Sequence, residues 1–332
     1  MTVPVTVLMS VYNGERWLRE SIKSVLEQTF TDFEFIIVND GSQDLSLDII
    51  NNHAAKDRRI QVISKPNTGL ADSLNAGIGQ AKGEWIARLD ADDLCEPNRL
   101  GVQYVLANSK KEFVLIGSGL TEIDDNGQPT KVFKYPPNNH DLVKRLITIK
   151  GFFAHSSAFI RTNTLKAVGG YRPRIKRAQD YDLWLRLSEA GELGCIDEPL
   201  ARIRSHTDQI SHEEGGRRQQ IDSRVALVGY LLRQRGLVDP VAPESTDSEF
   251  AEFWQFVERG VAQDQLVEFR RFTSELKARR DTATLGSVLS ALAFAVGSPH
   301  FVLRHLREAF MGENLAMRLA DGWIRKTTTC AE

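Results

Sequence analysis

The hydrophobic pattern of the N-terminal part switches repeatedly between strand-like runs and helical spacing. Val3 to Met9 is rich in β-branched residues and predicts a buried strand. After Ser10-Val11-Tyr12-Asn13-Gly14 the period changes, and Leu18, Ile22, Val25 and Leu26 recur at helical spacing. Glu34 to Val38 predicts a second strand ending in Asn39-Asp40-Gly41-Ser42, with a helix through Leu47, Ile49 and Ile50. Ile60 to Ile63 predicts a third strand, followed by Pro66-Asn67-Thr68-Gly69 and a helix through Leu70, Leu74 and Ile78. Glu84 to Leu89 predicts the fourth strand. Such alternation implies right-handed crossovers and a mainly parallel sheet, whose ligands collect at the carboxyl ends of the strands. Ser10–Asn13, Asn39–Ser42 and Arg88–Asp93 all fall at those ends and are expected to converge.

Phe113 to Ile123 predicts a further strand, Asn126-Gly127 a hairpin turn, and Asn139 to Ile147 a helix. Gly151 to Arg161 holds Phe152-Phe153-Ala154-His155-Ser156-Ser157, too apolar for an ordinary surface loop. Thr162 is expected to cap a short helix ending at Gly169-Gly170. The next helix, Gln179 to Leu187, pairs Asp182 with Arg186 four residues on, as an expected surface ion pair. Asp180 shares a face with Leu183 and Trp184. Spacing alone leaves it open between a capping residue and an inward general base. Leu200 to His206, if extended, puts Arg202, Arg204 and His206 on one face, either serving a phosphate or forming a solvated edge.

From Gly216 the sequence turns helical. Ile221 to Leu232 is amphipathic, Val238 to Ser248 reads as a linker with Pro240 and Pro243, and Phe250 to Arg280 is rich in helix formers. Leu285 to Leu303 is apolar but broken by Gly286, Gly297, Pro299 and His300. Its flanks, Lys277–Arg280 and Arg304–Arg307, suit a helix lying at a membrane surface, and packing against the catalytic domain or a second subunit is the competing expectation.

The length of 332 residues suits one large domain with an appendage, or two domains. Lysine and arginine total 42 against 44 acidic residues, so the formal charge of −2 argues against nucleic acid as main partner. Cys95, Cys195 and Cys330 are isolated, as expected of reduced thiols in a cytosolic chain. Met1 leads straight into a strand, so no signal peptide is expected.

The stretch Arg88-Leu89-Asp90-Ala91-Asp92-Asp93 carries the candidate chemistry. Three carboxylates this close repel one another unless a cation or partner donors sit among them. Mg²⁺ is commonly held by one or two carboxylates together with substrate phosphate oxygens. An acidic turn before a helix is the plainer reading. The first strand-to-helix turn has only Gly14 where a dinucleotide fold has G-x-G-x-x-G, and no G-x-x-x-x-G-K-[ST] occurs. A metal ion then becomes the expected means of neutralising phosphate.

MSVYNG at Met9–Gly14, VNDGS at Val38–Ser42, NTGLADSLN at Asn67–Asn75, WIARLDADD at Trp85–Asp93, GGYR at Gly169–Arg172 and QDYDLWLRL at Gln179–Leu187 resemble the family 2 inverting glycosyltransferases, in order and spacing over about residues 3–211. The resemblance implies an α/β GT-A (Rossmann-like) fold, a mixed sheet flanked by helices, in residues 1–212. Residues 1–93 would be the nucleotide-sugar half and 94–212 the acceptor half, with a mostly helical extension over 213–332. It implies a nucleotide-sugar donor, expected to be a UDP-sugar, Mg²⁺ or Mn²⁺ as cofactor, and a glycan or lipid-linked acceptor hydroxyl. The setting would be surface-polysaccharide assembly on the cytoplasmic side, with peripheral membrane contact or self-association through the C-terminal helices. On the resemblance, Ser10, Val11, Tyr12, Asn13, Asp40, Asn67, Asn75, Arg88, Asp90 and Ala91 would bind the nucleotide sugar, and Asp92, Asp93 and His206 the metal. Asp180 would be the base, with His155, Gln179, Trp184 and Arg204 on the acceptor and diphosphate side. Gln179 stands where the family commonly has glutamate, and Ile203 where it has an aromatic residue. A nucleotidyltransferase or a non-catalytic nucleotide-sugar-binding partner are the rival functions.

Overall fold

Val5–Val11 (β1) is buried along its whole length, as a strand with helices on both faces must be. The computed structural model describes residues 3–206, 215–280 and 313–329. These separate into two compact units: 1–146 with 151–219, and 147–150 with 220–332. The predicted apolar segment Leu285 to Leu303 and the flank Arg304–Arg307 lie outside the described residues. Among the described residues, no helix is long and apolar enough to cross a membrane.

In the first unit, β1 leads to Leu18–Leu26 (α1), Phe33–Asp40 (β2), Ser46–Ala54 (α2), Ile60–Lys65 (β3), Leu70–Gln80 (α3) and Trp85–Arg88 (β4). The order is the one the hydrophobic pattern predicts. Strands β3, β2, β1 and β4 lie side by side and parallel. Helix α3 crosses β1 closely at Gly77, where a Cβ would stand 2.2 Å from Cδ1 of Leu8; only glycine permits that approach. Leu94–Cys95 (β5), Arg99–Ala107 (α4), Phe113–Ile123 (β6), Pro129–Phe133 (β7), Asn139–Ile147 (α5), Phe159–Arg161 (β8), Thr162–Ala167 (α6), Gln179–Ala190 (α7) and Glu192–Arg204 (β9) follow. Among the described residues the sheet runs β3-β2-β1-β4-β8-β6-β9-β5, with β7 on β6. Strand β8 is antiparallel to β4 and β6, so the sheet is mixed.

Three local expectations change. Strand β9 begins at Glu192, well before Pro199, because the register against β6 slips at Ser118/Gly119 and the bulge absorbs the proline. Thr162 does not cap α6; its hydroxyl donates to the Gly83 carbonyl and ties that helix to the start of β4. Asp182 and Arg186 are no surface pair: their side chains are 1% and 3% exposed. Arg186 donates twice to one Asp182 oxygen and once to the Val168 carbonyl, and Arg172 approaches the other oxygen at 3.4 Å. Periodicity missed this because α6 and its following turn cover that face. Arg186→Met is expected to cost about 3 kcal/mol in urea unfolding by leaving Asp182 poorly compensated, and Asp182→Leu/Arg186→Met to recover part of it.

The second unit contains most of Gly215–Arg233 (α8), together with Asp247–Arg280 (α9) and Glu313–Thr329 (α10). Trp323 of α10 meets Phe253 and Phe256 of α9 edge-on at 5.0 and 5.3 Å. Gly260 lets Leu319 approach the α9 backbone. Trp254 donates its indole N–H to Asp222 of α8 at 2.8 Å.

Candidate active site

Parallel registers bring the predicted loops together. Val11 aligns with Asn39, Asp40 with Lys65, and Leu8 with Arg88, so the ends of β1, β2 and β4 open on one side of the sheet. A cleft of about 1100 Å³ lies there within the first unit. It is lined by Ser10, Tyr12, Asn13, Asp40, Asn67, Asp90, Ala91, Asp92, Asp93, His155, Gln179, Asp180 and His206 among others.

One end is a pocket around Asp40. That carboxylate is 2% exposed and accepts from the Lys65 ammonium and from the backbone N–H groups of Thr68 and Gly69. Burial acts against ionisation, but these donors hold its pKa below the ordinary aspartate range, so it stays an acceptor. Tyr12 presents a ring that is 52% exposed. Asn13, at φ +50°, locks the neighbouring turn by accepting from the Gln43 N–H at 2.8 Å.

The acidic loop forms the floor. Arg88, fully buried, donates to Asp90, while Ser156 donates to the other Asp90 oxygen and accepts from the Asp90 N–H. Burial pushes Asp90 upward, and Arg88 with Ser156 more than reverses it. Asp93 is 4% exposed; one oxygen accepts from the Arg204 N–H at 2.9 Å and the other meets the Ser156 hydroxyl at 2.5 Å. Burial and the neighbouring Asp92 and Asp90 push its carboxyl well above the usual range. Ser156 has one hydroxyl proton to share between the two carboxyl groups, so it ties Asp93 to Asp90. Asp92 is raised by burial and by Asp90, against the His206 ring 3.0 Å away.

The cation implied by the sequence has few protein donors among the described residues. Among the described residues no three acidic, histidine or cysteine side chains converge on one point. Asp92 and the His206 Nε2 do face each other, among the described residues the His206 Nδ1 is buried without a partner, and the carboxylates repel. Two protein donors fit a divalent ion whose remaining positions are filled by phosphate oxygens and water. Asp93, with both oxygens engaged, does not share that role.

Asp180 stands at the first turn of α7 and lines the same cleft. One oxygen accepts from the Tyr181 N–H at 2.8 Å; among the described residues the other has no partner and is open to the cleft. Burial raises its pKa, and Asp90 raises it further.

Other predicted residues sit elsewhere. Val11 and Arg88 are buried behind the loops, and Trp184 packs on Phe153 and His155. Arg204, 1% exposed, holds the Asp92 carbonyl, the Asp124 and Asp125 carbonyls and Glu20. It braces the acidic loop from beneath. Arg202 turns to Glu96, so Arg202, Arg204 and His206 do not converge. Asn75 faces the Gly170-Tyr171 backbone.

Sequence reasoning missed Lys65, Ser156 and Trp17. The unusually apolar segment containing Ser156 was its only signal, whereas Lys65 follows from its position at the end of β3. Trp17 packs against the His206 ring, tilted by 41° at 4.3 Å, and donates to the Asp125 carbonyl. No periodicity marks it.

Burial pushes the His155 pKa down from 6.5 to about 3. Between those values the unfolded chain binds a proton that the folded chain does not, so this group removes stability as pH falls through that window. His155→Gln is expected to flatten the fall in urea midpoint between pH 7 and pH 4.

Comparison with known proteins agrees with this geometry. The model of glycosyl transferase family 2 matches residues 6–169. The O-antigen biosynthesis glycosyltransferase WbnJ of Escherichia coli is 30% identical, over 55% of this chain and 71% of that one. TarS of S. aureus, solved with UDP, superposes with a TM-score of 0.54 at 15% identity, covering 79% of this chain and 82% of that one. The mannosyltransferase PcManGT of Pyrobaculum calidifontis, solved with GDP-Man and Mn²⁺, gives 0.55 at 16% identity, covering 95% and 85%. The mixed sheet with its acidic loop after β4 is the GT-A fold, and the chain belongs to glycosyl transferase family 2.

Proposed function

We propose that this glycosyltransferase moves a sugar from a nucleoside-diphosphate donor, a UDP-sugar, to a hydroxyl of a glycan or lipid-linked acceptor, with inversion. We place the reaction in surface-polysaccharide assembly, on the cytoplasmic side. The relative WbnJ, named for O-antigen biosynthesis, supports the setting, and UDP in TarS supports the donor class.

One observation carries the reading: the open carboxylate oxygen of Asp180 shares a cleft with the acidic loop. Inverting transfer needs a base for the acceptor hydroxyl and stabilisation of the departing diphosphate. Asp180 takes the proton; the hydroxyl oxygen attacks the anomeric carbon, and the bond to the diphosphate oxygen breaks on the opposite face. The exposed Tyr12 ring stacks on the nucleobase, and Asp40 accepts from a ring N–H. Asp90, held ionised by Arg88, accepts from the ribose. Asp92 and His206 would hold Mg²⁺ or Mn²⁺, which when bound neutralises charge on the leaving phosphate. Arg204 and Trp17 keep those two side chains in place.

The test is release of UDP from UDP-sugars with and without Mn²⁺, beside calorimetry of UDP binding. The reading expects sugar-dependent UDP release that rises with acceptor and metal. Binding without any release would make the chain a nucleotide-sugar carrier instead.

A further inference from the structure

One side chain in the cleft has no part in the chemistry above. The His155 Nε2 lies 2.6 Å from the Tyr171 hydroxyl. Tyr171 is 2% exposed, and among the described residues its hydroxyl has no other partner. Were the hydroxyl to accept from the ring, its own hydrogen would be buried with nothing to receive it. Donating satisfies both groups. Nε2 therefore accepts, and Nδ1 carries the ring hydrogen. Among the described residues Nδ1 has no partner, and it is open to the cleft that His155 lines.

Tyr171 is itself clamped. Asn75 of α3 donates to the Tyr171 carbonyl and accepts from the Tyr171 N–H, both at 2.8 Å, as a paired strand would. The preceding Gly170 has φ +63°, and a Cβ there would meet the Asn75 oxygen at 2.5 Å. The clamp thus needs glycine at 170 and an amide at 75. The ring of His155 lies within electrostatic reach of Asp90, and the phenol of Tyr171 within reach of Asp90 and Asp180. A charged imidazolium there would pair with Asp90, whereas burial holds the ring neutral.

We propose that His155 is a fixed, uncharged N–H donor to an oxygen of the transferred sugar, and that Tyr171 and Asn75 are the positioning residues that set its tautomer and ring plane. The inference rests on the transferase reading, because the sugar must lie between the acidic loop and Asp180. It moves Asn75 from the nucleotide to the sugar side of the site.

The test uses the full chain. Nitrogen-15 shifts of the His155 ring are expected to report a single Nδ1–H tautomer, and Tyr171→Phe, which keeps the ring, a mixture of tautomers at nearly unchanged thermal midpoint. Calorimetry then compares UDP-glucose, UDP-N-acetylglucosamine and GDP-mannose with UDP and GDP. His155→Asn places an amide N–H near the Nδ1 position and is expected to keep sugar-dependent affinity. His155→Leu is expected to lose about tenfold for the nucleotide sugar and nothing for the nucleotide, the scale of one lost hydrogen bond. Asn75→Leu is expected to follow His155→Leu in this ratio. An Nε2–H tautomer, or equal binding by the Asn and Leu variants, overturns the inference while the transferase reading stands. Failure of the wild type to bind any nucleotide overturns both.

Discussion

Asp180→Asn is expected to lower kcat for sugar transfer by about 10²–10⁴-fold, the usual scale for loss of a general base, while nucleotide-sugar affinity stays near wild type. The substitution is almost isosteric, and among the described residues the carboxylate accepts one hydrogen bond, from the Tyr181 N–H, which the amide oxygen can still accept. The open oxygen is the one lost as a proton acceptor. Its raised pKa, caused by burial and Asp90, places the acid limb of the wild-type kcat/KM profile above the ordinary aspartate range. Rapid-quench transfer assays beside calorimetry check both parts. A variant with near-wild-type turnover would show that the base is another group.

Asp92→Ala is expected to abolish the Mn²⁺ dependence of UDP binding and to lower transfer by about 10²-fold or more, since the leaving diphosphate loses its charge partner. The fold should survive. Asp92 is the acidic-loop carboxyl with the fewest bonds to the frame: its side chain is 32% exposed and among the described residues meets only the His206 ring, whereas Asp93 ties Ser156 to β9. Asp93→Ala is accordingly expected to act through stability, lowering the thermal midpoint more than Asp92→Ala does. Titration of UDP with and without Mn²⁺ on each variant separates the two roles. Equal Mn²⁺ dependence in wild type and Asp92→Ala would remove this residue from the metal site.

Much of the framework was legible because it is local or periodic. Strand-to-helix alternation is a pattern of period two against period 3.6, and each strand of β1–β4 is bounded by its own turn signals. The convergence of Asp40, Asp90 and Asp92 follows from topology, since parallel strands must deliver their carboxyl ends to the same side. What periodicity could not reach was pairing between distant segments. Pro199 sits inside β9 because a bulge opposite Gly119 accommodates it, and Asp182 with Arg186 is buried because α6 and its turn cover them.

By itself, then, the order of residues determined the mixed α/β fold, the side of the sheet on which the candidate site lies, and the family, because those depend on spacing along one chain. Only tertiary structure decided which carboxylate of the acidic loop is open and which is tied to Ser156 and β9. It also decided that Arg204 supports the floor and that Asn75 serves Tyr171. Those roles are set by which hydrogen-bond partners arrive from elsewhere in the chain, and a hydrogen bond of 2.8 Å between residues 75 and 171 leaves no trace in the periodicity of either segment.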